Sequence, residues 1–127
     1  MIKGYGIAHA TLTVADIKKT RKFYETLFET EITMDDRKSF GLLKVGIPCW
    51  FVEWGKHTKD RFSEREIGLD HIAFELKSLE ELKEVIRKLD NMGIKNAGLQ
   101  RFAKKYPYVA FRDPDNIQTE FFIPKKM

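Results

Sequence analysis

The amino-acid sequence predicts an α+β fold made of two tandem modules, each with the element order strand, helix, strand, strand, strand (βαβββ). The main observation is an internal repeat: "GIAHATL" (6–12) is followed 62 positions later by "GLDHIAF" (68–74), which sets His9 over His71. A repeat of this kind indicates that one supersecondary unit occurs twice. Each copy precedes a segment with helical periodicity and then three short strand-like runs, which supports the same conclusion.

The length of 127 residues suits one domain with an ordinary hydrophobic core. We expect a single domain over residues 1–127, with the first module at about 4–55 and the second at about 68–125. The stretch between them, at about 56–67, is polar and charged ("HTKDRFSEREI" covers 57–67), as expected of a linker.

Both helices are predicted from capping residues and apolar spacing. Asp16 and Ser78 are good N-cap residues because their side-chain oxygens can accept from unpaired amides of the first turn. Ser78 and Glu81 also have the spacing of a capping box. The second helix should end at Met92 and Gly93, where glycine allows the left-handed conformation that terminates many helices.

The strands are predicted from apolar, β-branched and aromatic runs bounded by turn residues. The closing turn "DPDN" (113–116) ends in Asn116, which tolerates positive φ. The six predicted strands after the helices are Glu31–Met34, Ser39–Val45, Pro48–Trp54, Ile94–Leu99, Tyr106–Arg112 and Ile117–Ile123.

Composition excludes several classes of protein. The net charge of +4 and the calculated pI of about 9.1 come from interspersed charges, which favour a small anionic substrate modestly but do not indicate nucleic-acid binding. One cysteine, Cys49, excludes an intrachain disulfide and fits a small buried hydrophobic residue. No targeting segment or membrane span is evident, so we expect a cytoplasmic protein that does not bind membranes.

Side-chain alternation sorts the polar residues of the strands onto faces. His9 and His71 fall on the strand faces turned away from the helices, and Glu120 also falls on a non-helix face. Glu53 shares a face with Cys49, but both sides of that strand are apolar, so the pattern leaves its direction open.

A histidine and a glutamate on the strands of each half suggest a metal site. A single buried histidine is more often a hydrogen-bonded core residue, and Glu53 alone would be an ordinary edge-strand carboxylate. The recurrence of one histidine and one glutamate in each half favours joint binding of a divalent ion, because the ion compensates all four polar groups. Mixed nitrogen and carboxylate ligands suit Ni²⁺, Zn²⁺, Co²⁺, Mn²⁺ or Fe²⁺.

These motifs resemble the vicinal oxygen chelate superfamily, also called the glyoxalase/bleomycin resistance/extradiol dioxygenase group. The resemblance rests on "GIAHATLTVADI", "GLDHIAFEL" and "FRDPDNIQTEFF", the last without the glycine that usually follows the second aspartate. It covers nearly the whole chain and implies curved mixed sheets around a concave metal site. It also implies the metal ligands His9, Glu53, His71 and Glu120, and a homodimer with sites at the subunit interface.

The ligand set is most similar to that of the glyoxalase I (lactoylglutathione lyase) branch. That resemblance implies a lyase or isomerase acting on the thiohemiacetal of a 2-oxoaldehyde and a thiol such as glutathione, with Glu120 and Glu53 as catalytic bases. The alternatives are an extradiol dioxygenase with iron on His9, His71 and Glu120, a metal-free antibiotic-binding resistance protein, and an epimerase of acyl-CoA esters.

Five further residues are candidates for substrate binding. A cluster of basic residues between the second helix and the closing turn could receive the carboxylates of glutathione or the phosphates of CoA, although such lysines usually face solvent. Aromatic residues could form the wall of the pocket, although they are more often part of the core. These candidates are Arg101, Lys104, Lys105, Trp54 and Phe122.

Overall fold

The structure is a computed structural model and describes residues 1–29, 32–33, 38–42, 45–55 and 59–127. The chain divides into two compact units, Met1–Thr58 and Lys59–Met127, which we call unit 1 and unit 2. Each unit contains one helix and one four-stranded mixed sheet, in agreement with the predicted pair of βαβββ modules.

Unit 1 has its first and last strands side by side. Strand β1 pairs in parallel with β4, and β4 and β3 and then β3 and β2 pair antiparallel, which gives the sheet order β1-β4-β3-β2. Its elements are β1 (Ala10–Thr13), α1 (Ile17–Leu27), β2 (Ile32–Thr33), β3 (Ser39–Leu42) and β4 (Cys49–Val52).

Unit 2 repeats this topology. Strand β5 pairs in parallel with β8, and β8 and β7 and then β7 and β6 pair antiparallel, which gives the order β5-β8-β7-β6. Its elements are β5 (Ile72–Glu75), α2 (Leu79–Asn91), β6 (Gln100–Phe102), β7 (Tyr106–Arg112) and β8 (Gln118–Phe122).

The predicted helix boundaries are confirmed by their caps. The carboxylate of Asp16 accepts from the amides of residues 18 and 19, 3.1 and 3.2 Å away. Ser78 accepts from the amide of Glu81, whose carboxylate in turn accepts from the amide of Lys77 and the hydroxyl of Ser78. Helix α2 ends at a C-cap followed by Gly93, which has φ +72°.

The core of each unit lies between its helix and one face of its sheet. In unit 2 the burial of β7 and β8 alternates strictly, and α2 contacts both strands. The buried face of β8 contains Thr119 and Phe121, as the alternation predicts. The opposite face contains Gln118, Glu120 and Phe122, which are half-buried, so this face is available for a site.

The run Ile94–Leu99, predicted as a strand, is not one, and β6 begins only at Gln100. Asn96 explains the difference, because its side chain accepts from the amide of Gly98 and donates to the carbonyl of Ile94, forming a local turn. Gly98 then has φ +71°. The other predicted strands are present but shorter or equal in length, and residues 31, 34 and 43–44 of two of them lie outside the described residues.

The described part of the predicted linker belongs to unit 2. The amide of Phe62 donates to the carbonyl of Asp115 (2.9 Å), and the side chain of Asn116 donates to the carbonyl of Phe62 (3.0 Å). Asn116 has φ +70°, as expected for its place in the closing turn. Across the described ranges, no helix is long and apolar enough to cross a membrane.

Candidate metal centre

The centre of the candidate site is a histidine and glutamate pair on the open face of the unit 2 sheet. Ile72 pairs with Thr119 and Ala73 with Glu120, so His71, one residue before β5, lies diagonally across from Glu120. The Nε2 atom of His71 is 3.7 Å from Oε1 of Glu120. Their side chains are 40% and 15% exposed, so the pair is partly accessible to solvent.

Asp70 orients the histidine. Its Oδ1 lies 2.8 Å from Nδ1 of His71. A carboxylate at this nitrogen favours the tautomer with the proton on Nδ1, which leaves the lone pair of Nε2 directed at Glu120. Metal-binding histidines usually have such a partner. Our sequence analysis did not identify Asp70, although it directly precedes His71 in the repeated motif.

The pair fits a divalent ion by distance and by chemistry. Two atoms that bind one ion at about 2.1 Å lie about 3.0 Å apart at a right angle and about 3.4 Å apart at the tetrahedral angle. The observed 3.7 Å exceeds these two values by about 0.7 and 0.3 Å, and rotation of the two side chains would close that gap. Among the described residues, no group of three or more His, Cys, Asp or Glu side chains could hold an ion.

A cavity of about 410 Å³ opens over the pair. Alternation along the strands puts the lining side chains on the face opposite α2. Most of the wall is aromatic, and the carboxylate and imidazole are its charged or ionisable groups. The lining residues are His71, Ala73, Phe102, Tyr108, Glu120 and Phe122.

Unit 1 has a different residue at the position that matches Glu120. By strand register Thr11 pairs with Trp50 and Trp50 with Gly41, just as Ala73 pairs with Glu120 and Glu120 with Ala110. The counterpart of the glutamate is therefore Trp50. A Cβ added at Gly41 would overlap ring atoms of Trp50, so the indole lies directly over this glycine.

His9 and Glu53 lie at opposite ends of the parallel pair in unit 1. His9 directly precedes β1 and is exposed, and Glu53 follows β4 and is half-buried. Because Ala10 pairs with Cys49, their backbones are five residues apart along the strands, about 16 Å. Alternation also places Glu53 with the buried Cys49 and not with Trp50. Whether Glu53 binds a metal stays a prediction.

Of the five predicted substrate-binding residues, one lines the cavity and four do not. Phe122 lines the cavity. Arg101 lies on the other face of β6 from Phe102, and its Nε donates to the carbonyl of Met127 (3.0 Å). Trp54 is 74% exposed in unit 1, beyond the end of β4.

The two lysines of the candidate basic cluster lie in the turn between β6 and β7. Lys104 and Lys105 are both exposed, and Lys104 has φ +61°. The amide of Lys105 donates to the carbonyl of Phe102 (2.9 Å), which closes a β-turn in the three-residue loop 103–105 between β6 and β7. The lysines therefore stand at the tip of the hairpin that brings Phe102 to the cavity.

Three of the described groups have clearly shifted pKa values. The guanidinium of Arg112 donates to both carboxylate oxygens of Glu64, at 2.8 and 3.0 Å, and lowers the pKa of Glu64 from 4.5 to about 2. Glu64 in turn raises the pKa of Arg112. Burial raises the pKa of the Cys49 thiol from 9.0 to about 12, which makes it an unreactive core residue.

Comparison with known families agrees with this architecture. The family model for the Glyoxalase/Bleomycin resistance protein/Dioxygenase superfamily matches residues 6–121. The chain belongs to this superfamily. A glyoxylase/bleomycin resistance protein/dioxygenase domain from Frankia sp. EAN1pec is 25% identical, with a TM-score of 0.81 over 95% of this chain and 98% of that one.

Similar solved structures of this superfamily include FosX, a genomically encoded fosfomycin resistance protein from Listeria monocytogenes. A complex of FosX with Mn(II) and sulfate is 28% identical, with a TM-score of 0.72 over 97% of this chain and 91% of that one. A mutant FosX with Mn(II) and 1S,2S-dihydroxypropylphosphonic acid is 27% identical, with a TM-score of 0.71 over 94% and 90%. Divalent metal binding therefore occurs among its structural neighbours.

Proposed function

We propose that this superfamily member is a divalent-metal enzyme that adds water to the epoxide ring of a small anionic substrate. The observation that carries the proposal is the accessible pair of His71 and Glu120, with His71 oriented by Asp70. The similarity to FosX supports the substrate class, since the ligand of one FosX complex is a phosphonate with two neighbouring hydroxyls. Addition of water to an epoxide yields such a diol.

His71 and Glu120 would hold the ion, and we assign a further imidazole ligand to His9. When bound, a divalent ion supplies Lewis-acid stabilisation of negative charge that develops on a substrate oxygen. Asp70 would keep the proton on Nδ1 of His71. The aromatic wall would exclude bulk water and position the carbon skeleton. In the net reaction water forms one carbon–oxygen bond, one ring carbon–oxygen bond breaks, and a proton goes to the ring oxygen.

The glyoxalase I-type activity requires a second carboxylate beside the substrate. Trp50, and not a glutamate, occupies the counterpart of Glu120, so this activity would depend on Glu53. That is why we rank the three-ligand set of His9, His71 and Glu120 above the four-ligand set. Glutathione as a co-substrate and a homodimer are further parts of the glyoxalase-type proposal.

An extradiol-type dioxygenase is the second candidate, because it would use the same three ligands with iron. The aromatic wall of the cavity favours it, since a catechol is planar and stacks on aromatic rings. The metal that supports turnover distinguishes the two candidates. Turnover of an epoxide with manganese supports the water-adding enzyme. Turnover of a catechol and O₂ with iron supports the dioxygenase.

The first experiment measures metal content by mass spectrometry on protein purified without an affinity tag and loaded with Mn²⁺, Fe²⁺, Ni²⁺ or Zn²⁺. We expect one ion per site in the native protein and in Glu53→Ala, and loss of the ion in Glu120→Ala. The Mn²⁺ form is then incubated with fosfomycin, and ³¹P NMR should show conversion to the diol.

Three outcomes would redirect the proposal. Loss of the ion in both glutamate variants would support the four-ligand isomerase, which an assay with the hemithioacetal of methylglyoxal and glutathione then tests. Iron retention with catechol cleavage would support the dioxygenase. Failure of every ion to bind the native protein would overturn the metal proposals and leave a metal-free binding protein.

A further inference from the structure

We infer that the substrate carries a planar apolar group, which stacks on Phe122 beside its metal-binding oxygen atoms. This inference rests on the proposed function, because it assigns the other end of the substrate to His71 and Glu120. The lining of the cavity carries the argument: one end has the ionisable pair, and the other end is built from three aromatic side chains.

Phe122 is at the centre of the aromatic wall. Its ring centroid is 6.1 Å from that of Tyr106, 6.3 Å from that of Tyr108 and 6.4 Å from that of Phe102. Its ring is stacked with that of Tyr106, at an interplanar angle of 23°, and is tilted by 30° from that of Tyr108. Phe102 is 62% exposed at the rim. Such a group of rings offers a face to which a further aromatic ring can add in an offset or edge-to-face geometry.

Small side chains leave space between the glutamate and the wall. Ala73 and Ala110 pair with Glu120 on either side, so the carboxylate has no large neighbour across the strands. Phe122 is two residues further along the same strand and points to the same face, about 7 Å away. A planar group one or two bonds from the metal-binding oxygens would therefore lie over Phe122.

The size of the cavity agrees with a larger substrate than a three-carbon phosphonate. Its volume of about 410 Å³ falls within the range of about 300 to 1,000 Å³ found for pockets that bind drug-sized ligands. A polar group also reaches the wall: the hydroxyl of Tyr108 donates to Oε1 of Gln100, 3.2 Å away. Its oxygen can still accept a hydrogen bond from a polar substituent on the planar group.

Two probes with the same anionic head test this inference on the Mn²⁺-loaded protein. Phenylphosphonic acid and methylphosphonic acid differ only in the apolar group, and calorimetry gives both dissociation constants. We expect phenylphosphonic acid to bind at least about 10-fold tighter, as burial of one ring predicts. Phe102→Ala and Phe122→Leu should reduce this ratio to about 3-fold or less.

Tyr5→Ala is the matched control, because Tyr5 is an exposed aromatic residue outside the cavity lining and is not a substrate-binding candidate. It should leave the ratio unchanged. Equal binding of the two acids by the native protein would overturn the inference. So would a dimer that dissociates in Phe102→Ala while the ratio stays at its native value, since the wall would then be a subunit contact.

A measurement without metal separates this inference from the proposed function. Benzyl alcohol is titrated into the metal-free protein, and the amide resonances of Phe102, Tyr108 and Phe122 are followed by NMR. Shifts at these residues that disappear in Phe122→Leu support the aromatic site even where neither phosphonic acid binds. Absence of shifts at all three would overturn it.

Discussion

The two units place different side chains at the same point of the same sheet. In unit 2 the row across the strands is Ala73, Glu120 and Ala110, and in unit 1 it is Thr11, Trp50 and Gly41. The carboxylate of unit 2 has small neighbours and lines a cavity. The indole of unit 1 covers a glycine that has no Cβ to displace it. The two units therefore share a sheet topology but differ in the side chains at this position.

The residue before each histidine shows the same division. Asp70 precedes His71 and holds its Nδ1, whereas Ala8 precedes His9 and offers no side-chain acceptor. The helices differ as well. Helix α2 has Ser78 and Glu81 hydrogen-bonded to each other at its start, acidic residues in its first turn and Lys88 in its last, whereas α1 has neither kind of charge at those ends. Unit 2 thus contains both the helix with charges at its two ends and the histidine that a carboxylate orients.

The largest expected effect is on the free energy of unfolding, and it tests whether the cores of unit 1 and unit 2 are equivalent. Phe51 and Phe121 occupy matching, fully buried positions opposite Leu12 and Phe74. Replacing either by alanine should lower the free energy of unfolding by about 3–5 kcal/mol. Urea unfolding followed by circular dichroism measures both. A loss below about 1 kcal/mol for one of them would show that the matching positions do not contribute alike.

The contact between Trp50 and Gly41 can be broken by a single methyl group. Gly41→Ala should cost about 1–3 kcal/mol, because the new Cβ forces the indole aside. In a Trp50→Ala background the same change should be neutral or slightly stabilising, since glycine is unfavourable within a strand. Urea unfolding of the four proteins gives the coupling energy. Equal costs in both backgrounds would contradict the proposed contact.

The contribution of Asp70 to metal binding sharpens the comparison with Ala8. Asp70→Ala should weaken metal affinity by about 10- to 100-fold, the usual effect of removing the partner of a histidine ligand. Asp70→Asn should lose less, because an amide oxygen still accepts from Nδ1. Competition with a chelating dye measures both constants. An alanine variant that binds metal like the native protein would remove Asp70 from the site.

The smallest expected effect concerns the Glu64–Arg112 ion pair, which ties the described part of the predicted linker to unit 2. The pKa of Glu64 falls from 4.5 to about 2 on folding, so its stabilisation is complete above pH 4.5 and disappears as the pH falls through 2. The excess melting temperature of the native protein over Glu64→Gln should shrink over that interval.

Thermal unfolding at pH 7, 4, 3 and 2 measures the effect of Glu64. Glu66→Gln is the control, since Glu66 is an exposed glutamate on the same segment. Its difference from the native protein should not follow this pH dependence. A constant offset for Glu64→Gln across the whole range would exclude the ion pair as its cause.

Much of this fold could be predicted from local signals. The caps at Asp16 and Ser78, the left-handed Asn116 and the faces of β5 and β8 depend on neighbouring residues, which the sequence displays directly. The placement of His71 and Glu120 on one face followed from alternation alone. The strand predicted from Ile94 failed because the side chain of Asn96 forms a turn that apolar patterning does not reveal.

The parts of the candidate site that the sequence did not predict depend on the register of the paired strands. Alternation could not orient β4, because both of its faces are apolar, so Trp50 could not be recognised as the counterpart of Glu120. Only the pairing of Thr11 with Trp50 shows it. Tyr108 was missed for a related reason, since its place in the cavity depends on which residue of β8 it faces, here Phe122.

The sheet topology also determines when each strand can find its partner during synthesis. Among the described residues, strand β1 pairs with β4 alone, which lies more than thirty residues later in the chain. At about 5–20 residues per second, the ribosome leaves β1 unpaired for on the order of a few seconds. An unpaired strand is open to pairing with other nascent chains. Polar side chains alternate along this segment at His9, Thr11 and Thr13, which limits its apolar character until β4 arrives.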